Sequence, residues 1–463
     1  LQVVPPLNSK PCNSKSRMKK IVETLKNIWR IEDLRTRILI TILFVAIYRF
    51  GSTVVLPGID STALANLQKQ TEGGLMSLLD MFSGGAFSQA SIFALGIMPY
   101  ITASIVIQLL AVAVPYFQKL QREGESGTRK INQYTRYLTL AILTFQAPTY
   151  LINLKMQTQA SHAFLVGDGF WFMATSTIIL AAGSMFVLWL GERITDRGVG
   201  NGVSVIIMIG IIARLPMAFI EELTSALSGA EGGGLIKFLV ELLALVGVMA
   251  LAILLVKAVR KVPVQYAKRI EGRKNQVGGA RQYIPLKLFA ANVMPIIFAQ
   301  AIMFIPLMLV NVTKTQSPVL QQFLNPNSVL YNVVFVFLIV AFTYFYTAIT
   351  MNPVQMAEDM KRNNGFIPGV KPGKETADYI DSVMSHLTLP GSLFIAAIAI
   401  LPTFAQMEPF KVHQAFAHFF GGTSLLILVG VVLDTIQQID SLMSVRNYDR
   451  MLNAGHTRHR SND

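Results

Sequence analysis

Ten stretches of this chain are long enough and apolar enough to cross a bilayer, and they constrain the fold more than any motif. They fall near 38–57, 88–113, 133–154, 170–191, 199–218, 235–257, 286–311, 329–350, 386–407 and 422–443. A hydrocarbon core of roughly 30 Å takes about 20 residues of helix. Inside it the backbone must satisfy its own hydrogen bonds. No charged side chain occurs between 198 and 213 or between 388 and 407. Of the 463 residues, 52% are hydrophobic and 14% charged, where a soluble domain carries roughly 25% charge. Most soluble enzymes are thereby excluded. The sequence predicts an all-α integral membrane protein with ten transmembrane helices.

The net charge of +14 would suggest nucleic acid if it lay on one soluble face. It is instead sorted by side. An even number of spans places both termini together, and 33 of the 40 Lys and Arg lie on that side. The other seven are Arg49, Lys69, Lys155, Arg214, Lys237, Lys314 and Lys411. Positive charge marks the cytoplasm, so both termini are expected there, and direct DNA binding is not. Two loops on the basic side, 257–285 and 351–385, are too long for simple turns. They read either as solvated connectors or as docking surfaces for an acidic or RNA-bearing partner. Residues 1–17, rich in Pro, Ser, Asn and Lys, read as a disordered extension ahead of a start at Met18. Residues 446–463 read as a cytoplasmic tail.

Intramembrane carboxylates and histidines, which ion-coupled transporters use, are nearly absent. Arg49, Glu241, Asp434 and Asp440 lie toward span ends, where long side chains reach the interface. None of the six histidines has the spacing of a helical zinc site, and there is no Gly-x-x-x-x-Gly-Lys-Ser/Thr loop for a nucleotide. The single cysteine, Cys12, cannot form an internal disulfide. No catalytic residue, metal or cofactor is expected.

The segment 73–86 carries an apolar run, Leu75 to Phe82, between the pairs Gly73-Gly74 and Gly84-Gly85. It is too short to cross. It is either an interfacial turn or a small mobile element that fills a cavity between spans and leaves it. In the second window Pro99 should introduce a kink, and Ile97, Ile101 and Ile105 share one helical face. Lipid contact would explain that face. So would a dewetting apolar constriction, and the pattern alone does not separate the two.

Two long runs carry a family resemblance. One extends from Asp80 through Phe-Ser-Gly-Gly-Ala to Ile101, the other is Gly191-Glu-Arg-Ile-Thr-Asp-Arg-Gly-Val-Gly-Asn-Gly202. Glu123-Gly-Glu-Ser-Gly127, Tyr266-Ala-Lys-Arg269, Pro285-Leu-Lys287 and Phe420-Gly-Gly-Thr-Ser-Leu-Leu426 follow in order. Together they resemble the SecY family, the channel-forming subunits of the bacterial protein-export translocon, from about Met18 to about Arg450.

The resemblance implies ten helices in two pseudo-symmetric halves, 18–220 and 221–445, around a central pore in the inner membrane. It implies a plug at 73–86, with Leu75, Met76, Leu78, Leu79, Met81 and Phe82 as its apolar face. It places a pore ring on Ile97, Ile101, Val203, Ile207, Ile297 and Ile427, with valine at 203 departing from isoleucine. Unfolded secretory polypeptides would pass through the ring. Signal sequences and membrane helices would leave sideways into lipid, between the second and third spans and the seventh and eighth. SecE and SecG are the implied membrane partners, and the ATPase SecA and the ribosome the implied docking partners. Their contacts would fall on Lys268, Arg269 and Arg273, and on Lys371 where the family often has arginine. Lysine there keeps the charge and loses the planar fork of guanidinium.

Overall fold

The computed structural model describes residues 29, 31–60, 80, 82–158, 169–228, 234–266, 282–288, 293–313, 322, 328–406, 412, 414–417, 419 and 422–460. Each of the ten apolar windows carries a helix. In chain order these are α1 (Glu32–Ser52), α2 (Met98–Ala113) with the short α3 (Pro115–Arg122), α4 (Glu125–Thr158), α5 (Phe170–Arg197), α6 (Gly202–Ser228) and α7 (Gly234–Lys257). Then come α8 (Met294–Thr313), α9 (Val329–Thr350) with α10 (Pro353–Arg362), α11 (Lys374–Gln406), the single turn α12 (Gln414–Ala417) and α13 (Gly422–Arg460). Among the described residues, α5, α6, α7, α9, α11 and α13 are long and apolar enough to cross a membrane, and the bent α2–α3 pair makes a seventh. The last helix runs on through most of the segment expected to be a tail.

Several threonine hydroxyls inside the spans are satisfied within their own helices. Thr139 donates to Thr135 O at 2.7 Å, Thr343 to Ile339 O at 2.7 Å and Thr388 to Met384 O at 2.8 Å. A hydroxyl without a partner would be costly in so apolar a setting.

The second window differs from expectation. Residues 83–97 form a chain of turns, and α2 begins at Met98, so Pro99 lies in its first turn and does not kink it. Proline is favoured there because its missing N–H would have had no intrahelical acceptor. The bend comes later, at Val114-Pro115, where α2 and α3 meet at 102°.

The long loops also differ from plain connectors. β1 (Val259–Tyr266), β2 (Gln282–Lys287) and β3 (Gly365–Phe366) form one antiparallel sheet of order β2-β1-β3. Val259 pairs with Lys287 and Val264 with Gln282 across the hairpin, and Gln265 pairs with Phe366 on the other edge. Val262 and Val264 alternate inward, as a half-buried strand requires. They pack with Leu286, Met360, Ile367, Ile380 and Met384. The two loops therefore share a core between the sheet and α10 and α11.

Among the helices, α6 packs against α5, α7 and α13, while α8 packs against α2 and α4 of the N-terminal half and against α9. One apolar cluster runs through the centre, with members from α1, α2, α5, α6, α7, α8, α9, α11, α12 and α13. Of the 18-residue apolar windows, that of α11 is 44% buried and that of α7 only 17%. The difference places α7 at the periphery, with most of its leucines outward and Leu245 turned into the cluster.

Candidate functional site

Four helices deliver the six predicted ring positions to that central cluster. Ile97, at the N-cap of α2, and Ile101 are each 6% exposed; Ile207 of α6 is 2% and Ile427 of α13 is 1%. Val203 and Ile297 are half-buried and pack against the same cluster. Ile105 is buried as well, so lipid contact does not account for the Ile97–Ile101–Ile105 face. Val203 also leans on α5: its Cγ2 lies 3.4 Å from where a Cβ on Gly191 would stand.

The position of Val203 and Ile207 depends on the turn 198–201 between α5 and α6. Gly200 adopts φ +86° there, a conformation open to glycine. Its N–H donates to Gln438 Oε1 of α13 at 2.9 Å. The Val199 N–H donates to Thr41 Oγ1 of α1 at 3.1 Å, and Arg37 donates to Gly198 O at 3.3 Å. A Cβ on Gly202 would stand 1.9 Å from Gly191 O. The turn thus ties the first and last helices to the start of α6.

Against this cluster sits a compact turn of residues 80 and 82–88. Phe82 is 8% exposed and belongs to the central cluster. Asp80 organises the turn: its Oδ1 accepts from Ser88 N–H at 2.8 Å and its carbonyl from Gly85 N–H at 2.9 Å. Gly84 and Gly85 take φ +66° and +93°, which lets the chain reverse tightly. Side chains of α1 and α6 hold the turn. Tyr48 donates to Ser83 O at 3.2 Å and Arg49 to Gly84 O at 3.0 Å. Arg214 forms an ion pair with Asp80 and donates to Ser88 Oγ at 3.0 Å. The backbones come close too, since a Cβ on Gly210 would stand 2.5 Å from Phe82 O. Of the predicted plug residues, Phe82 is part of this docked turn; Leu75, Met76, Leu78, Leu79 and Met81 lie outside the described residues.

Sequence reasoning missed the Asp80–Arg214 pair. Arg214 was counted only as one cation of the less basic side, yet it follows the uncharged run 198–213 directly. An isolated cation at the end of such a run needs a counter-charge, and that was the available signal.

Lys371 lies on the turn 367–373, where Gly369 and Gly373 take φ +87° and +108°. Its ammonium is exposed and stands 3.5 Å from Glu375. Lys268, Arg269 and Arg273, predicted for the same docking role, lie outside the described residues.

A bundle of apolar helices whose branched aliphatic residues gather in one buried cluster, with a polar-latched turn docked against it, is the arrangement of a membrane channel class. A SecY family profile matches residues 91–436. A protein translocase subunit SecY from Streptomyces scabiei is 40% identical over 437 residues, covering 92% of this chain and 98% of that one. The chain belongs to the SecY family. The fold is similar to a solved protein-conducting channel at a TM-score of 0.60 and 16% identity, over 88% of this chain and 91% of the other. It is also similar to Sec61 in a canine ribosome–channel complex from the endoplasmic reticulum, at a TM-score of 0.56 and 15% identity over the same shares.

Proposed function

We propose that this chain is a gated channel that passes unfolded secretory polypeptides and releases signal sequences and membrane helices into lipid. The observation that carries the reading is the burial of branched aliphatic residues from α2, α6, α8 and α13 in one central cluster against which a short turn is docked. An aliphatic ring offers no hydrogen bonds to retain a passing chain, adapts to side chains of many sizes and dewets around them. Ile97, Ile101, Val203, Ile207, Ile297 and Ile427 form the ring in this reading, and the turn ending the 73–86 segment is the stopper. The seam where α8 meets α2 and α4 is the sideways exit.

SecE and SecG are the membrane partners in this reading, and SecA or a translating ribosome drives transport from the sheet-bearing end. That end is cytoplasmic, in the inner membrane of a bacterium, because it collects the basic loops. Lys371 presents one exposed cation there, and Lys268, Arg269 and Arg273 supply others. ATP hydrolysis belongs to SecA, so the chain itself is not an enzyme.

The test is photo-crosslinking from Ile297 to a secretory precursor stalled in transit. A crosslink that depends on the stalled precursor is expected. Silence at Ile297, with good crosslinks from a lipid-facing position on α8, would sink the ring assignment. Replacing Ile97 or Ile297 by asparagine should raise ion leak, measured as conductance in planar bilayers.

A further inference from the structure

Beside the ring lies a chamber of about 200 Å³, lined by Asn201, Ser204, Ile297, Ile427 and Asp434 with Val293, Met294, Tyr346, Thr350 and Val431. Ile297 and Ile427 are ring positions, so a chain threading the ring passes this wall. The chamber faces the sheet-bearing end. Asn201 belongs to the turn between α5 and α6, and one turn beyond Asp434 along α13, Gln437 accepts from Lys287 of β2 at 3.4 Å.

Among the described residues, Asp434 is the one formally charged member of the lining; the ring itself carries none. Lys287 acts on Asp434 from β2 but does not line the chamber. A cavity of roughly 150 Å³ admits a benzene molecule, so this one has room for a long side chain. A carboxylate on a low-dielectric wall attracts a cation far more strongly than it would in open water. It repels an anion by the same margin.

Resting on the channel reading, we propose that Asp434 is a specificity-determining residue. The chamber is a transient seat for one lysine or arginine side chain of the transiting polypeptide, and it disfavours stretches rich in Asp and Glu. Lysine suits the seat: its flexible stem lies along Val293, Val431 and Ile427 while its ammonium meets the carboxylate. Ser204, Asn201, Tyr346 and Thr350 supply the polar groups that replace part of its hydration.

The experiment uses the chain assembled with its partners in lipid vesicles and three matched precursors, differing only in a short block of Lys, Gln or Glu. In the unmodified channel the Lys precursor should transit about two- to fivefold faster than the Glu precursor, a ratio set by one partly hydrated ion pair. In D434N that ratio should fall to about one, read within the variant so that any change in overall rate cancels. A ratio that survives D434N overturns the proposal.

A second measurement leaves Asp434 in place. With Cys12 replaced by serine and Ser204 by cysteine, a stalled precursor carries one cysteine beside the Lys or the Glu block. Disulfide capture should be severalfold higher beside lysine, and equal yields also overturn the proposal. If the Gln precursor does not cross the unmodified channel at all, it is the channel reading that fails, and the seat falls with it.

Discussion

Asp80 and Arg214 show how much of the docked turn rests on single side chains. Both are largely withdrawn from solvent, with side-chain exposures of 11% and 21%. Removing one partner takes this ion pair from the other, at a cost of about 2–4 kcal/mol for a pair this buried. R214Q and D80N should therefore each loosen the turn and raise precursor-free conductance in planar bilayers. The double variant D80N/R214Q should leak less than either single one, because it removes both halves of the pair together and leaves no half-broken ion pair. Additive leak in the double variant would show that the pair does not hold the turn. A steric version of the same test is Gly210→Ala, whose Cβ would stand 2.5 Å from Phe82 O and 3.3 Å from Gly84 N. Such crowding costs about 1–3 kcal/mol and should also raise conductance. Gly247→Ala, with open space around its Cβ, should be silent. This level of detail was only partly legible beforehand. The run from Asp80 to Ile101 marked the turn by resemblance, but its counter-charge lies 134 positions away, and no local pattern links the two.

Elements were more legible than their joints. Apolar length located a helix in each of the ten windows because lipid enforces one backbone solution. Six of these helices, or seven with the bent α2–α3 pair, are long and apolar enough to span among the described residues. Pro99 misled because proline's effect depends on where a helix begins, and the glycine-rich turns before it set that start. The sheet was missed for a related reason. β1 turns Val262 and Val264 inward, but Pro263 lies between them, a residue that argues against a strand interior, and the partner strand β2 begins 16 residues after β1 ends. The short β3 is farther still, so pairing was not a local property. The sheet's shared core makes a prediction of its own. Val264→Ala together with Leu286→Ala should cost that unit about 3–5 kcal/mol. Limited proteolysis should then cut between β1 and β2 faster and docking of cytosolic factors should weaken, while precursor-free conductance stays as it was. A conductance change would mean that the sheet also braces the ring.

At the scale of the whole molecule, orientation is the open physical quantity, and the chain carries its own reporter. Cys12 is the only thiol. An impermeant maleimide should label it in sealed inverted vesicles and not in intact spheroplasts, and the opposite pattern would reverse the charge-based orientation. The gathering of the six positions from 97 to 427 in one cluster, by contrast, was legible only through resemblance, because they lie on four separate helices and composition cannot align them in space. The latched turn has one more consequence, and it is electrical. Asp80 travels with the turn, while Arg214 is fixed to α6. Release of the turn along the membrane normal therefore moves a net negative charge through the transmembrane field. One elementary charge crossing the whole field is worth about 2.3 kcal/mol per 100 mV, so a quarter of the path corresponds to roughly 0.6 kcal/mol. In the proposed orientation, with the sheet-bearing end on the negative side, that field pushes the carboxylate outward. An energised membrane should thus bias the channel toward release, and D80N should flatten the voltage dependence of its opening.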